Sequence, residues 1–212
     1  MENLLSYLQF TDSVVERLRE LGYDDTDSFE DDVLSHHADY RDEHPSVYCG
    51  SYHKYASGSL GGMWIDLTTF DSFADFNNFC QAIHADEADC EPMFQDYECF
   101  PRELYSESGF SQRDWNALQD YIEACEKHDK DAVDAFVAYA DVNSLGSFED
   151  CYQGKWDSEE DFAEHIVEEC YFDDLNGVSD LIRNNIDWKG IARELFMCDY
   201  YFDDGHVFCH NY

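Results

Sequence analysis

The stretch that decides the predicted fold, residues 45–67, reads PSVYCGSYHKYASGSLGGMWIDL. Residues 46–52 have the composition of a β-strand, residues 57–62 supply turn-forming residues, and residues 63–67 return to strand composition. This pattern predicts a β-hairpin. Pro45 marks the point at which the preceding, Asp-rich sequence ends.

Helical patterns lie on both sides of this hairpin. The spacing of apolar residues predicts helices over 12–21 and 28–40, from residue 72 onward, and twice within 111–140. Two more are predicted near the end of the chain. Thr11 or Asp12, Asp71, Asp157 and Asp187 are the predicted N-caps. Strand composition returns at 93–100, and residues 200–208 surround an Asp-Asp-Gly turn that predicts a terminal hairpin.

These elements predict an α+β protein made of short hairpins, small sheets and packed helices. We divide it into an acidic helical N-terminal extension at 1–44, loosely joined to the rest, and three domains. The first α+β domain covers 45–105, a helical middle domain covers 106–144, and a C-terminal α+β domain covers 145–212.

The chain is strongly acidic, with 49 Asp and Glu against 12 Lys and Arg and a formal net charge of -37. Such a charge repels phosphates, so we expect no binding to nucleic acid or to an anionic membrane. Aromatic residues make up 17% of the chain, which is too many for a disordered acidic tail. Residues 1–44, 45–110, 111–144 and 145–212 are each net acidic, so the charge belongs to the folded body.

The sequence also indicates a compartment. No apolar run is long enough to span a bilayer, and the N-terminus lacks the pattern of a signal peptide. The nine cysteines are an odd number without a C-x-x-C pair. We therefore expect free thiols, most of them buried, in a reducing cytoplasm.

No motif indicates an enzyme. The phosphate-binding loop, the dinucleotide fingerprint and the metalloprotease motif are all missing from the sequence. His206, Cys209 and His210 have metal-ligand side chains, but in a strand Cys209 would face away from the two histidines. Carboxylates are so abundant that some pair will lie close together by chance, and such a pair does not indicate an active site. We therefore predict no catalytic residue, no metal and no cofactor.

The acids on the predicted helices are the candidate functional residues. Glu160, Glu164 and Glu168 are spaced four apart, and like charges at this spacing cost about 0.2–0.5 kcal/mol per pair. A merely solvated surface explains an excess of acid but not this uniform sign. Duplex DNA carries one negative charge per about 1.7 Å of its axis, and rigid rows of carboxylates can imitate it. The candidate phosphate mimics are Asp114, Asp120, Glu123, Glu126, Asp131, Asp134, Glu149, Asp150, Asp157, Glu159, Glu160, Asp161, Glu164 and Glu168.

From Pro45 to Tyr212 the sequence resembles the ArdA antirestriction family. The segments that carry the resemblance are VYCGSYHKY (47–55), GSL (58–60), GMWIDL (62–67), FQDYE (94–98), FEDCYQGKWDSEEDFA (148–163), IDW (186–188), AREL (192–195) and DGHVF (204–208). The first 44 residues depart from the usual start of the family.

The resemblance implies a non-enzymatic inhibitor that is carried by mobile elements such as plasmids or phages and acts in the cytoplasm of a bacterial host. It implies an elongated body of three small domains in a row, paired into a homodimer through the C-terminal domain. It further implies mimicry of bent B-form DNA in the groove of type I restriction–modification enzymes, at the methyltransferase core.

Two other interpretations stay open at this stage. The chain could be a DNA mimic directed at another DNA-binding protein, or an acidic, salt-adapted cytoplasmic protein of unrelated function. Its nine cysteines and many aromatic residues fit salt adaptation less well.

Overall fold

The computed structural model describes residues 4–39, 43–170 and 177–210. The chain forms two compact units, residues 1–122 and residues 123–212. Each unit contains a three-stranded antiparallel sheet accompanied by helices. The predicted α+β class is therefore confirmed, whereas the predicted division into an extension and three domains stays a prediction.

The helices and strands are numbered here in chain order through the described residues. The helices are α1 (Asp12–Glu20), α2 (Thr26–His36), α3 (Tyr52–Ala56), α4 (Phe73–Ala82), α5 (Gln112–Lys127), α6 (Lys130–Ala140), α7 (Phe148–Cys151), α8 (Glu159–Cys170), α9 (Asp180–Arg183) and α10 (Trp188–Cys198). The strands are β1 (Ser46–Ser51), β2 (Met63–Asp66), β3 (Pro92–Glu98), β4 (Tyr152–Lys155), β5 (Tyr200–Asp203) and β6 (His206–Cys209). Short 3-10 turns cover Arg102–Leu104 and Val142–Ser147.

The first sheet has the strand order β2-β1-β3, with β1 at its centre. Strands β1 and β2 pair antiparallel, which confirms the predicted hairpin. Their connection contains the short helix α3, which the sequence analysis missed. The hydroxyl of Ser51 starts this helix by accepting a hydrogen bond from the backbone N–H of Lys54 at 3.1 Å.

Aromatic side chains fill the core of the first unit. Phe76 on α4 stacks on Trp115 of α5 with ring centroids 4.9 Å apart, and on Phe94 of β3 at 5.7 Å. Helix α4 was predicted correctly except for its cap. Ser72, not Asp71, is the N-cap, because its hydroxyl accepts a hydrogen bond from the N–H of Asp75.

Residues 4–39 pack firmly into the first unit, so the expectation of a loosely joined extension was wrong. The Tyr7 hydroxyl donates to the carbonyl of Ile83 at 3.0 Å, and the His36 ring stacks on Phe70 with centroids 3.9 Å apart. The N–H of Ala38 donates to the carbonyl of Trp64 at the edge of β2. Helix α2 also ends before its predicted limit at residue 40, which lies outside the described residues.

The second sheet has the order β4-β6-β5, and β5 and β6 form the predicted terminal hairpin. Helix α8 packs against α10 and the sheet through Phe162, whose ring lies 5.7 Å from Phe196 and 4.8 Å from Tyr200. Asp187 caps α10 as predicted. At α8 the prediction of Asp157 was wrong, because the hydroxyl of Ser158 accepts the hydrogen bond from the N–H of Asp161.

Strand β1 passes so close to the start of β2 that residue 62 has no room for a side chain. A Cβ atom at this position would lie 2.3 Å from the carbonyl oxygen of Cys49, well inside van der Waals contact. We expect Gly62→Ala to lower the free energy of unfolding by about 1–3 kcal/mol, as overpacking does elsewhere. Urea denaturation measures this change.

Gly146→Ala is the control for the loss of a glycine, because a Cβ atom there meets no atom within 4 Å. Its unfolding midpoint should match that of the unaltered chain. Equal midpoints for all three proteins would show that the approach of β1 to residue 62 is not as close as described.

Candidate functional site

The acidic side chains cover the surface of both units. Among the described residues, all Asp and Glu are exposed except Asp32, Asp66, Glu87, Asp134, Glu160 and Asp203. Twelve of the fourteen candidate phosphate mimics are therefore exposed, and Asp134 and Glu160 are half-buried. The structure gives these carboxylates access to a partner, which a contact role requires.

The candidates are distributed over four helices and one connection. Asp114 and Asp120 lie on the part of α5 that belongs to the first unit, and Glu123 and Glu126 on its last turns. Asp131 and Asp134 lie on α6, and Glu149 and Asp150 on α7. Asp157 precedes α8, which carries Glu159, Glu160, Asp161, Glu164 and Glu168.

Helix α8 separates its apolar and acidic residues. Phe162 and Ala163 are buried, whereas Asp161, Glu164 and Glu168 are exposed. A helix rises about 1.5 Å per residue, so acids three or four residues apart follow one another every 5–6 Å or so. The buried side chains fix the helix, and the exposed carboxylates form a regular row along it.

Some candidates have a cationic neighbour. Carboxylate oxygens of Glu123 and Asp134 lie 2.6 and 2.5 Å from the ammonium groups of Lys127 and Lys130, and a Glu168 oxygen lies 3.5 Å from Arg183. A Glu149 oxygen lies 3.4 Å from Nε2 of His128, and this contact is an ion pair only when the imidazole is protonated. Exposed pairs of this kind contribute about 0–1 kcal/mol each, so a stronger cationic partner can displace the intramolecular one. The hydrogen bond from Lys127 also lowers the pKa of Glu123.

Two further candidates stabilise helix starts. Asp114 accepts hydrogen bonds from both the hydroxyl and the N–H of Ser111, and these bonds lower its pKa. Asp161 accepts one from the hydroxyl of Ser158 at 2.7 Å. Both carboxylates therefore have a structural role within the chain besides any contact role.

The remaining candidates form no ion pair with any residue that the structure describes. They are Asp120, Glu126, Asp131, Asp150, Asp157, Glu159, Glu160 and Glu164. All of them except Glu160 are exposed. They offer negative charge that the chain does not neutralise itself.

The sequence analysis missed comparable acids on α2. Asp27, Glu30 and Asp31 are exposed, and Asp25 caps the helix through a hydrogen bond from the N–H of Ser28 that lowers the pKa of Asp25. Asp27 and Asp31 show the same spacing of four residues that singled out the acids of α8.

A buried ionic cluster in the first unit was also missed. The ammonium nitrogen of Lys54 lies 2.8 Å from both Asp86 and Glu87 and 3.2 Å from Nδ1 of His84. Burial opposes ionisation of Glu87, but hydrogen bonds from Lys54 and Ser51 outweigh it and lower the pKa of Glu87. Lys54 lies on a five-residue helix, and its partners are at least 30 residues away in the sequence. The local sequence therefore did not indicate these contacts.

This cluster has the composition of a metal site, and Lys54 supplies its cation. Ligand atoms of His84, Asp86 and Glu87 lie within 4.8 Å of one another, and no other group of this kind occurs among the described residues. The Lys54 ammonium contacts all three side chains, so a metal ion would have to displace it.

His206, Cys209 and His210, which the sequence analysis weighed as metal ligands, have separate partners. Nδ1 of His206 lies 3.0 Å from the Tyr152 hydroxyl. The Cys209 thiol donates to the carbonyl of Asp150, and Nε2 of His210 lies 3.1 Å from the carbonyl of Tyr200. Along the described part of the chain, no helix is both long enough and apolar enough to cross a membrane.

Comparison with known families gives one match. The family model described as antirestriction protein (ArdA) matches residues 47–208. The matched region begins in β1 and ends in β6, so it includes both sheets but not α1 and α2. No curated protein matches the chain.

The Lys54 cluster yields a stability prediction. We expect Lys54→Met to lower the free energy of unfolding by about 3–5 kcal/mol, because it leaves Glu87 charged and buried without its cation. Lys189→Met, at an exposed lysine, removes the same charge and should change the stability little. Thermal unfolding of the three proteins tests this, and equal melting temperatures would contradict it.

Proposed function

The chain belongs to the ArdA antirestriction family, and from this premise we propose that it blocks restriction as a DNA mimic. Its carboxylates take the place of phosphates in the DNA-binding groove of a type I restriction–modification enzyme, at the methyltransferase core. It acts by binding and catalyses no reaction.

The observation that carries this proposal is the set of exposed, unpaired acids on α5 to α8. A DNA-binding groove holds Lys and Arg side chains that neutralise phosphates and release counterions. Carboxylates accept the same charge-assisted hydrogen bonds from guanidinium groups, including the bidentate arrangement. An acidic surface therefore competes for those side chains without any base-specific contact.

The helices that carry the acids are anchored by buried side chains. Leu118 and Tyr121 are fully buried on α5, Val133 and Phe136 on α6, and Phe162 is nearly so on α8. Anchored helices hold their exposed acids in place before binding, which reduces the ordering cost of association.

We further propose that the chain acts as a homodimer joined through residues 145–212, in the cytoplasm of a bacterial host, and that a plasmid or phage encodes it. These points rest on the resemblance to the family. In such a homodimer, the acidic surface of each chain forms one half of a longer DNA mimic.

Competition with DNA tests the proposal. A purified type I methyltransferase core should bind the chain, and a duplex that contains the enzyme's recognition site should displace it. Because binding depends on ion pairs, the affinity should fall steeply between about 50 and 200 mM salt, as it does for DNA. Fluorescence anisotropy measures both effects.

Two results would overturn this mechanism. One is binding that duplex DNA does not reduce, and the other is inhibition of restriction that salt leaves unchanged. A third result is failure to bind the core together with salt-sensitive binding to another DNA-binding protein. It would support DNA mimicry but show that the type I enzyme is not the target.

Neutralising the candidate acids tests their contribution. A variant combining Glu126→Gln, Asp131→Asn, Glu159→Gln and Glu164→Gln should bind the core from about fourfold to several hundredfold more weakly, since exposed ion pairs contribute about 0.2–1 kcal/mol each. Each single change should reduce affinity by less than about sixfold. Titration at constant salt measures these affinities.

The matched control removes the same four charges from exposed acids outside the candidate set. It combines Asp89→Asn, Glu91→Gln, Glu98→Gln and Glu103→Gln. Equal losses in both variants would show that net charge alone governs binding. A single substitution among the four candidates that abolished binding in a folded protein would contradict a distributed surface.

A further inference from the structure

Two cysteines face each other at one end of the second sheet. Cys151 ends α7 and Cys209 ends β6. Their chain neighbours, Tyr152 and Phe208, are directly paired in the antiparallel ladder between β4 and β6. Cys151, the last residue of α7, and Cys209 directly adjoin this pair, so the ladder brings the two cysteines together.

The side chain of Cys209 points toward Cys151. Its thiol donates a hydrogen bond at 3.7 Å to the carbonyl oxygen of Asp150, the residue just before Cys151 in the chain. A disulfide needs Cβ atoms about 3.5–4.5 Å apart. The pairing of Tyr152 with Phe208 holds the two cysteines side by side, which this geometry requires.

The backbone holds both residues in place. Strand β6 is the central strand of its sheet, and Cys209 pairs with Tyr200 of β5 on the side opposite β4. Beyond it, the N–H of His210 donates to the carbonyl of Asp199 at 3.0 Å. Cys209 therefore stays next to Cys151 in the folded unit.

We propose that Cys151 and Cys209 are a disulfide-forming pair that small-molecule disulfides oxidise in the folded protein. The Cys209 thiolate attacks one sulfur of oxidised glutathione, forms a mixed disulfide and releases one glutathione thiolate. Cys151 then loses its proton to solvent, and its thiolate attacks the Cys209 sulfur and releases the second glutathione. Two protein thiols are oxidised to one disulfide, and one glutathione disulfide is reduced to two thiols.

Exposure sets the order of these steps. Cys209 is partly exposed, whereas Cys151 is buried, so the reagent reaches Cys209 first. Burial and the adjacent Cys209 raise the pKa of Cys151 to about 11. Because the thiolate is the nucleophile, the second step should speed up as the pH rises toward that value.

Cys49 and Cys80 provide a contrast. Both are fully buried in the core of the first unit, and neither thiol reaches the surface. A reagent the size of glutathione reaches neither sulfur in the folded protein. We therefore expect the pair in the second unit to react and this pair to stay reduced.

The disulfide would close a loop of most of the second unit, from residue 151 to residue 209. Closing so long a loop restricts the unfolded chain and stabilises the folded one. Oxidation removes no carboxylate, so it should strengthen the second unit without altering the proposed binding surface, and its success or failure is independent of that proposal.

To test this, the full-length protein is treated with oxidised glutathione, and the remaining thiols are alkylated. Its peptides are then mapped by mass spectrometry without reduction. The expected product is a peptide pair joined through Cys151 and Cys209 that dithiothreitol separates again. The melting temperature should rise by several degrees on oxidation and return on reduction.

Variants separate this bond from other reactions of the nine thiols. Cys209→Ser should lose both the linked peptides and the rise in melting temperature, whereas Cys198→Ser, at an exposed cysteine, should keep both. Mixed disulfides with glutathione that never resolve into the linked pair would overturn the proposal. So would linkage of Cys209 to Cys170 or Cys198, which the peptide map of the unaltered protein detects without any variant.

Discussion

Mutual repulsion of carboxylates is the constraint on which the rest of this structure depends. A net charge of -37 opposes every compact arrangement of the chain, so burial of apolar surface has to outweigh it. Rings supply that burial, through Phe76 on Trp115 in the first unit and Phe162 on Phe196 and Tyr200 in the second. The high aromatic content therefore allows each of the two units to fold despite its acidic charge.

Few cations are available, and the chain uses the most buried one inside the first unit. Lys54 joins helix α3 to the segment after α4 by contacting Asp86 and Glu87. The ring of Tyr7, from the segment before α1, lies beside the same ammonium group. The residues that precede the matched family region thus help to enclose a cluster that lies within it, and this explains why they pack as an integral part of the unit.

Local patterns predicted most of the elements, and contacts distant in sequence account for the errors. Periodic apolar residues identified α1, α5 and α6, and strand composition on both sides of turn residues identified the two hairpins. Helix α3 was missed because five residues are too few to show a helical period. Ser72 and Ser158 are the helix caps in place of the expected Asp71 and Asp157. Aspartate and serine can both cap a helix, and the sequence does not show which of two adjacent residues has the right hydrogen-bond geometry. The attachment of residues 4–39 depends on pairs such as His36 and Phe70, which leave no local signal.

Prediction of the candidate phosphate mimics from the sequence is limited in the same way, by contacts between distant residues. Sequence spacing identified acids that are mostly exposed, because acids recur every three or four residues on the predicted helices. It did not reveal which carboxylates already have partners within the chain. Glu168 lies near Arg183, Glu149 lies near His128, and Asp161 accepts a hydrogen bond from Ser158. A surface built of many similar charges tolerates such internal use, because no single carboxylate is indispensable to it. That tolerance also explains why a search for catalytic or ligand-binding motifs finds none: the proposed function lies in the density and rigidity of the charges and not in any one residue.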